Sequence, residues 1–268
     1  MIEKAVSYFF GKRWPKGFEC PSCGHGKYYV VSSRRLPLYQ CRLCKHQTTV
    51  TAGTVMHRSR TSLDKWVAAM ELLSAEAGVN ATRLAASVGV SHKAAWTLLR
   101  KLRSAIAETE AHAKLSGTVH AAVQWLKPGY LFLSTSHKRY RKERIVLLGT
   151  SVDGIGGTKA IKLRLVDEQH LIPRTKELSR EGTHAELHKV ASPGAIATLL
   201  TDRRLVNSSL PARFKEAEQW LNRVFNGFGS KYLQSYLDEY CFRWNIAAGG
   251  HCPKEVWTRL FFRAPSAR

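Results

Sequence analysis

The chain has 268 residues, 44% of them apolar, which is enough for a sizeable core and for more than one domain. Its 42 Lys and Arg face 20 Asp and Glu, and the resulting formal charge of +22 calls for a polyanionic partner. No apolar run approaches the ~20 residues needed to span a bilayer, so nucleic acid is expected rather than membrane. Met1 to Val6 lack a basic segment leading into a long apolar core, and no secretory signal is expected.

In chain order, Tyr8, Phe9, Phe10 and Trp14 stand among basic residues and predict a short amphipathic helix that docks on a cysteine-rich ribbon. That ribbon begins with two C-x2-C knuckles, Cys20 to Cys23 and Cys41 to Cys44, separated by 17 residues. The spacing is the one a zinc ribbon uses: each knuckle presents two thiolates, and the two together complete a closed tetrahedral shell with no open position. The expected Zn²⁺ is therefore structural. Two disulfides or chance spacing are the alternatives, and Gly24 and Lys45 after the knuckles suit metal turns better. Cys241 and Cys252 are left as reduced thiols of a cytoplasmic, nucleoid-associated protein. Between the knuckles, Tyr28 to Val31 and Leu36 to Tyr39 predict two strands around a basic tip whose Arg34 and Arg35 either press on phosphates or form a solvated turn.

A Thr-rich strand is expected over Gln47 to Thr51, followed by a capping box at Thr61 to Asp64. Trp66, Ala69, Met70 and Leu73 then repeat at helical spacing up to Ala77. Asn80 or Thr82 caps a short helix through Leu84, Ala85 and Val88 that stops at Gly89. Ser91 caps a third, whose Ala95, Leu98, Leu99, Leu102 and Ile106 face inward. This is the helix-turn-helix plan, with Lys93, Thr97, Arg100, Lys101 and Ser104 left outward as candidates for DNA contact. A basic helix that merely faces solvent is the alternative.

From Leu115 onward strands are expected over 119–123, 130–133, 144–152 and 160–166, with Arg139 and Lys142 as phosphate contacts in the basic connection over 136–142. Residues 192–200 read as a helix or a further strand. Helices are expected over 214–225 and 231–245. Strands followed by helices make an α/β class, with segments at 1–58, 59–112 and 113–268. His184 and His188 stand at i and i+4, but the intervening Glu186 is not where a metalloprotease helix needs it, and a solvated helix face is expected. Cys241, His251 and Cys252 lack a fourth partner at knuckle spacing, and Trp244 and Trp257 are expected in the core.

Several of these stretches carry a resemblance. Gly17 to Gly24, Tyr39 to Cys41, Thr48 to Val55, the helix entry through Trp66 and Ala94 to Arg103 resemble the front half of zinc-ribbon insertion-sequence transposases. Leu115 to Val119 resembles the entry to their catalytic domain, and Lys231 to Asn245 resembles its closing helix. The resemblance implies an RNase H-like third segment, double-stranded DNA as partner, and a carboxylate triad holding Mg²⁺ for cutting and joining DNA. Two cations held by such carboxylates activate the attacking oxygen and stabilise the leaving one.

At the first carboxylate position this chain reads His120-Ala121-Ala122-Val123-Gln124, with Ala122 where the resemblance places the Asp. Asp202 and Glu216 align with the second and third positions, Glu218 being a nearby alternative, and the segment after Asp202 is short. Asp202 as a turn residue and Glu216 as a solvated helix-face residue are the bland readings. Two functions are consistent with these residues: a DNA-binding protein of transposase descent with a decayed centre, or an active DDE transposase whose missing carboxylate comes from Asp153 or Asp167, with Mg²⁺ as cofactor only in that case. A homo-oligomer stays open.

Overall fold

The computed structural model describes residues 2–32, 36–75, 77–127, 144–154, 157–225, 228–250 and 253–262. The expected basic tip with Arg34 and Arg35, the expected strand at 130–133, and Arg139 and Lys142 lie outside these residues. The chain divides into two compact units, 1–105 with 254–268, and 106–253.

In the first unit, α1 (Ile2–Arg13) precedes a three-stranded antiparallel sheet in the order β1 (Tyr28–Val31), β2 (Leu38–Cys41), β3 (Gln47–Thr48). The expected docking of α1 is carried by aromatic rings: Phe10 lies 5.1 Å and Trp14 5.5 Å from Tyr39, and Phe18 lies 4.8 Å from Tyr28, separations at which aromatic pairs attract. Arg13 donates to the carbonyls of Val50 and Ala52 and ties the end of α1 to the turn after β3. The Thr-rich strand is shorter than expected, because from Thr49 the chain turns and the Thr51 carbonyl accepts from the Thr54 hydroxyl rather than from a strand.

Next come three helices, α2 (Leu63–Ser74), α3 (Ala81–Val88) and α4 (His92–His112), the last carrying residues of both units. Their inward faces are those the periodicity predicts: Trp66, Ala69, Met70 and Leu73 on α2, Leu84 on α3, and Ala95, Leu98, Leu99, Leu102 and Ile106 on α4 are buried. Asn80 caps α3 by accepting from the Arg83 N–H, Gly89 ends it in the left-handed region, and Ser91 accepts from the Ala94 N–H at the start of α4. The expected capping box at Thr61 is not formed; Ser62 is the residue at the cap of α2, and its side chain accepts no backbone N–H there. α9 (Pro253–Phe262) belongs to this unit as well, with Phe262 5.4 Å from Phe9 and with Trp257 buried.

The second unit is built on a four-stranded mixed sheet in the order β6 (Thr158–Leu165), β5 (Arg144–Val152), β4 (Thr118–Leu126), β7 (Ile196–Leu199). β4, β5 and β6 are antiparallel neighbours, and β7 runs parallel to β4. The stretch left open between helix and strand is therefore a strand: its N–H and C=O groups complete the β4 edge, with Leu200 donating to the Ala121 carbonyl at 2.7 Å. The sheet is covered on both faces. α7 (Leu210–Phe225) and α8 (Leu233–Ala248) close one face over Ala122, Leu126, Val146, Leu148, Ile161 and Leu163. On the other, Val190 and Leu187 of α5 (Arg180–Val190) pack on Ala121, Ile145 and Leu147. The short α6 (Asp202–Val206) links β7 to α7.

Among the described residues, the outer edge of β6 is capped by side chains rather than by a further strand. Gln234 and Asn245 of α8 each act as a peptide surrogate: Gln234 accepts from the Leu165 N–H at 2.8 Å and donates to the Leu163 carbonyl at 3.1 Å, and Asn245 accepts from the Ile161 N–H at 2.8 Å and donates to its carbonyl at 3.0 Å. Between them Cys241 offers its sulfur to the Leu163 N–H at 3.2 Å. One polar stripe along α8 thus satisfies an edge that would otherwise be open to pairing with another chain. Replacing Asn245 by Leu strands both backbone groups of Ile161 in a dry contact. The expected loss is about 2 to 4 kcal/mol, read as a lower urea midpoint, together with concentration-dependent association; an unchanged midpoint would refute this role.

Beside this stripe lies a buried charged group. Lys162, 2% exposed, donates to the carbonyls of Glu110 and Ala113 at the end of α4 and stands 3.5 Å from the Glu110 carboxylate. A cation there complements the carbonyl end of the helix. Burial pushes Glu110 up to about 7 despite Lys162, and it also raises Asp238, which holds Arg164 at 3.4 Å.

Candidate zinc centre and nucleic-acid interface

Each knuckle is a tight turn built the same way. The Cys20 N–H donates to the His25 carbonyl at 3.1 Å, and the Cys41 N–H donates to the His46 carbonyl at 2.9 Å. Gly24 and Lys45, the residues after each second cysteine, take positive φ of 73° and 61°. Glycine meets that demand without strain, whereas Lys45 meets it at a cost, its ammonium donating to the Arg42 carbonyl at 3.1 Å.

The four sulfurs converge within 4.8 Å of one another, with Cys20 to Cys44 and Cys23 to Cys41 both at 3.6 Å. Sulfurs bound at about 2.3 Å to one tetrahedral ion stand roughly 3.8 Å apart, so the residues fit Zn²⁺. Cys20 and Cys41 are buried while Cys23 and Cys44 are exposed, which places one thiolate of each knuckle on each side. The His46 N–H and the Cys23 thiol hold Cys44 down to about 7. Cys23 receives a bond from the His25 N–H that lowers it, but its contacts with Cys44, Cys41 and Cys20 together with desolvation outweigh this and push it up to about 12. One sulfur of the cluster is thus poised as a thiolate near neutral pH, and an ion would deprotonate the rest.

On α4, Lys93, Thr97, Arg100 and Ser104 are exposed, as expected. The Thr97 hydroxyl donates to the Lys93 carbonyl at 2.8 Å, and the Arg100 guanidinium lies 5.6 Å over the Trp96 ring. Lys101 differs: its ammonium donates to the His57 carbonyl at 2.6 Å and is partly desolvated, which lowers its pKa. It serves as a tether between α4 and the turn before α2. On the ribbon, Arg42 sits 4.4 Å over the ring of the exposed Tyr29, a cation and aromatic pair that no motif in the sequence singles out.

The acidic candidates stand on different elements of the second unit. Ala122 lies on β4 opposite Leu148, fully buried in the core under α7 and α8. Asp202 is the first residue of α6. Glu216 is 43% exposed and pairs with Arg213 at 2.9 Å within α7. Glu218 accepts from the Lys127 N–H at 3.0 Å at the end of β4. Asp153 closes the β5 to β6 turn by accepting from the Gly157 N–H at 2.6 Å, and Asp167 pairs with Lys189 at 2.6 Å. The two histidines at 184 and 188 are exposed, as expected of a solvated helix face, but Glu186 between them is fully buried and bound to His170 and Lys189. The two histidines flanking it mark the right helix, but the partners of Glu186 lie elsewhere in sequence.

Four cysteines in two equivalent knuckles, under an aromatic-docked helix, define a zinc ribbon. The family model for the transposase zinc-ribbon domain matches residues 3–47, which span α1, the small sheet and all four cysteines. No curated protein and no solved structure matches the chain. Among the described residues, no helix is long and apolar enough to cross a membrane.

Proposed function

We propose that the chain is a zinc-ribbon, double-stranded-DNA-binding protein of transposase descent whose strand-transfer centre has decayed. The observation that carries this reading is Ala122. It stands in a central strand where the transposase resemblance puts the first metal-binding carboxylate, and its methyl group is buried among apolar side chains. Of the other carboxylates weighed for the role, Glu216 is committed to Arg213, Asp153 to its turn and Asp167 to Lys189. A Mg²⁺ pair needs a shared carboxylate to bridge it.

The DNA-binding half rests on the matched zinc-ribbon domain, the +22 charge and the three helices. We read α3 and α4, joined across Gly89, as a helix-turn-helix, and the mixed sheet with helices on both faces as an RNase H-like core, on segments 59–112 and 113–268. In this reading Lys93, Thr97 and Arg100 face the major groove, while Arg34, Arg35, Arg139 and Lys142 neutralise phosphates, and Lys101 holds α4 in position.

Affinity for duplex DNA, measured at several salt concentrations, tests this together with a nicking assay in Mg²⁺ or Mn²⁺. Arg100→Ala is expected to erode discrimination between a selected site and random duplex. Arg139→Ala is expected to weaken both alike and to reduce the salt slope by about one. Cleavage is expected to be absent. Metal-dependent nicking that disappears in Asp202→Ala or Glu216→Ala would restore the active-transposase reading.

A further inference from the structure

On the face of the sheet opposite α7, Asp167, His170 and Glu186 each bring a donor atom to within 4.8 Å of the others. Asp167 follows β6, His170 sits in the 3-10 turn at Glu168–His170, and Glu186 projects from α5. Glu186 is 0% exposed. Its Oε1 accepts from three donors, the Asp167 N–H at 3.0 Å, His170 Nδ1 at 2.7 Å and Lys189 Nζ at 2.7 Å. Its Oε2 is equally buried and has no hydrogen-bond partner among the described residues. A buried carboxylate oxygen left without a donor costs about as much as several ordinary hydrogen bonds supply, so its retention points to a ligand.

The surroundings are built to hold this geometry. A side chain at Gly182 would collide with the His170 carbonyl, so only glycine lets the 3-10 turn lie directly on α5. Ser179 caps α5 by accepting from the Gly182 N–H and also donates its own N–H to the His170 carbonyl at 2.9 Å. Lys189 bridges the two carboxylates of the cluster, with its ammonium 2.6 Å from Asp167 and 2.7 Å from Glu186. It is itself 30% exposed, and the Asp167 side chain is 54% exposed, so the lysine can swing out and an ion can enter.

We propose that Asp167, His170 and Glu186 form a second metal site for a divalent transition cation of the Zn²⁺ class, in which Lys189 is the resident cation when metal is scarce. One imidazole and two carboxylates suit Zn²⁺ better than Mg²⁺ or Ca²⁺, which take oxygen ligands alone. Three protein ligands leave a fourth position for water or an anionic ligand. The site is independent of the cysteine cluster and of the DNA reading.

The test is equilibrium dialysis of the full chain against Zn²⁺, with elemental analysis of bound metal, repeated with Co²⁺. The unmodified chain is expected to hold one ion tightly in the cysteine cluster and a second at higher free Zn²⁺. Lys189→Met is expected to tighten the second by about tenfold or more, because it removes the competing charge. Glu186→Gln is expected to hold the first ion only. Since Glu186 is buried and its substitution can unfold the region, His170→Ala on the half-exposed turn is the second variant, and it too is expected to lose only the second ion. A single ion per chain in both the unmodified protein and Lys189→Met would overturn the proposal, as would an unaltered second ion in His170→Ala.

Discussion

Cys41→Ser is expected to bind no zinc at the ribbon and to lose protection from hydrogen exchange across residues 18–48, while α2, α3 and α4 keep theirs. Cys41 is the most enclosed of the four ligands. It ends β2, pairs with Tyr28 across the sheet, and faces Cys23 at 3.6 Å. The ribbon has strands of four, four and two residues and an apolar filling that consists largely of the rings of Phe10, Trp14, Phe18, Tyr28 and Tyr39. Rings at that separation contribute of order 1 kcal/mol per pair beyond their burial. Structural zinc supplies about 10 to 16 kcal/mol in small zinc domains, so the metal dominates the folding of this segment. Elemental analysis and amide exchange check it together. Full zinc occupancy in Cys41→Ser, or an ordered ribbon in the chelator-treated protein, would sink it.

Ala122→Asp is expected to destabilise the second unit by about 3 to 5 kcal/mol at neutral pH without creating cleavage activity. The side chain at this position is 0% exposed and sits beneath α7 and α8 among Leu126, Leu148 and Leu221, so a carboxylate there is an uncompensated charge in an apolar core. Such a group avoids ionisation by raising its pKa in the folded state. Its folded value then exceeds the unfolded one, so the variant is least impaired below the ordinary carboxylate range, and the deficit grows as pH rises toward the shifted value. Urea midpoints at about pH 5 and about pH 8, one nearer the ordinary carboxylate range and one well above it, measure this with and without Mg²⁺. Wild-type stability, or a large stabilisation by Mg²⁺ with nicking, would mean that the site lacks only one carboxylate.

The two substitutions probe features of different legibility. The cysteine spacing and the residues after each knuckle are local: a tight turn presenting two thiolates needs a residue tolerant of positive φ just after it, and Gly24 and Lys45 take φ of 73° and 61°. The inward faces of α2 and α4 are likewise local, since 3.6-residue periodicity lines up Trp66 with Met70 and Leu98 with Leu102 whatever they pack against. The polar stripe of α8 is visible in the sequence only as part of a resemblance. That Gln234 and Asn245 cap the β6 edge could not be read from their own helix, because their partners lie 69 to 84 residues away.

By itself the sequence determined the four-cysteine ribbon, its basic character, the three-helix segment after it and the absence of a carboxylate at Ala122. Only the tertiary structure decided that residues 196–199 are a strand, because a four-residue apolar stretch acquires its conformation from the β4 edge it pairs with. The structure also decided the fate of individual charges. Lys101 and Lys93 look alike on a helical wheel, yet one is tethered to the His57 carbonyl and the other is exposed. Lys162, Glu110 and Glu186 are of residue types that ordinarily face solvent, yet all three are buried. A charge can leave water only when partners from distant segments replace its hydration, and those partners are assembled by the packing of the sheet against its helices, which no local pattern encodes.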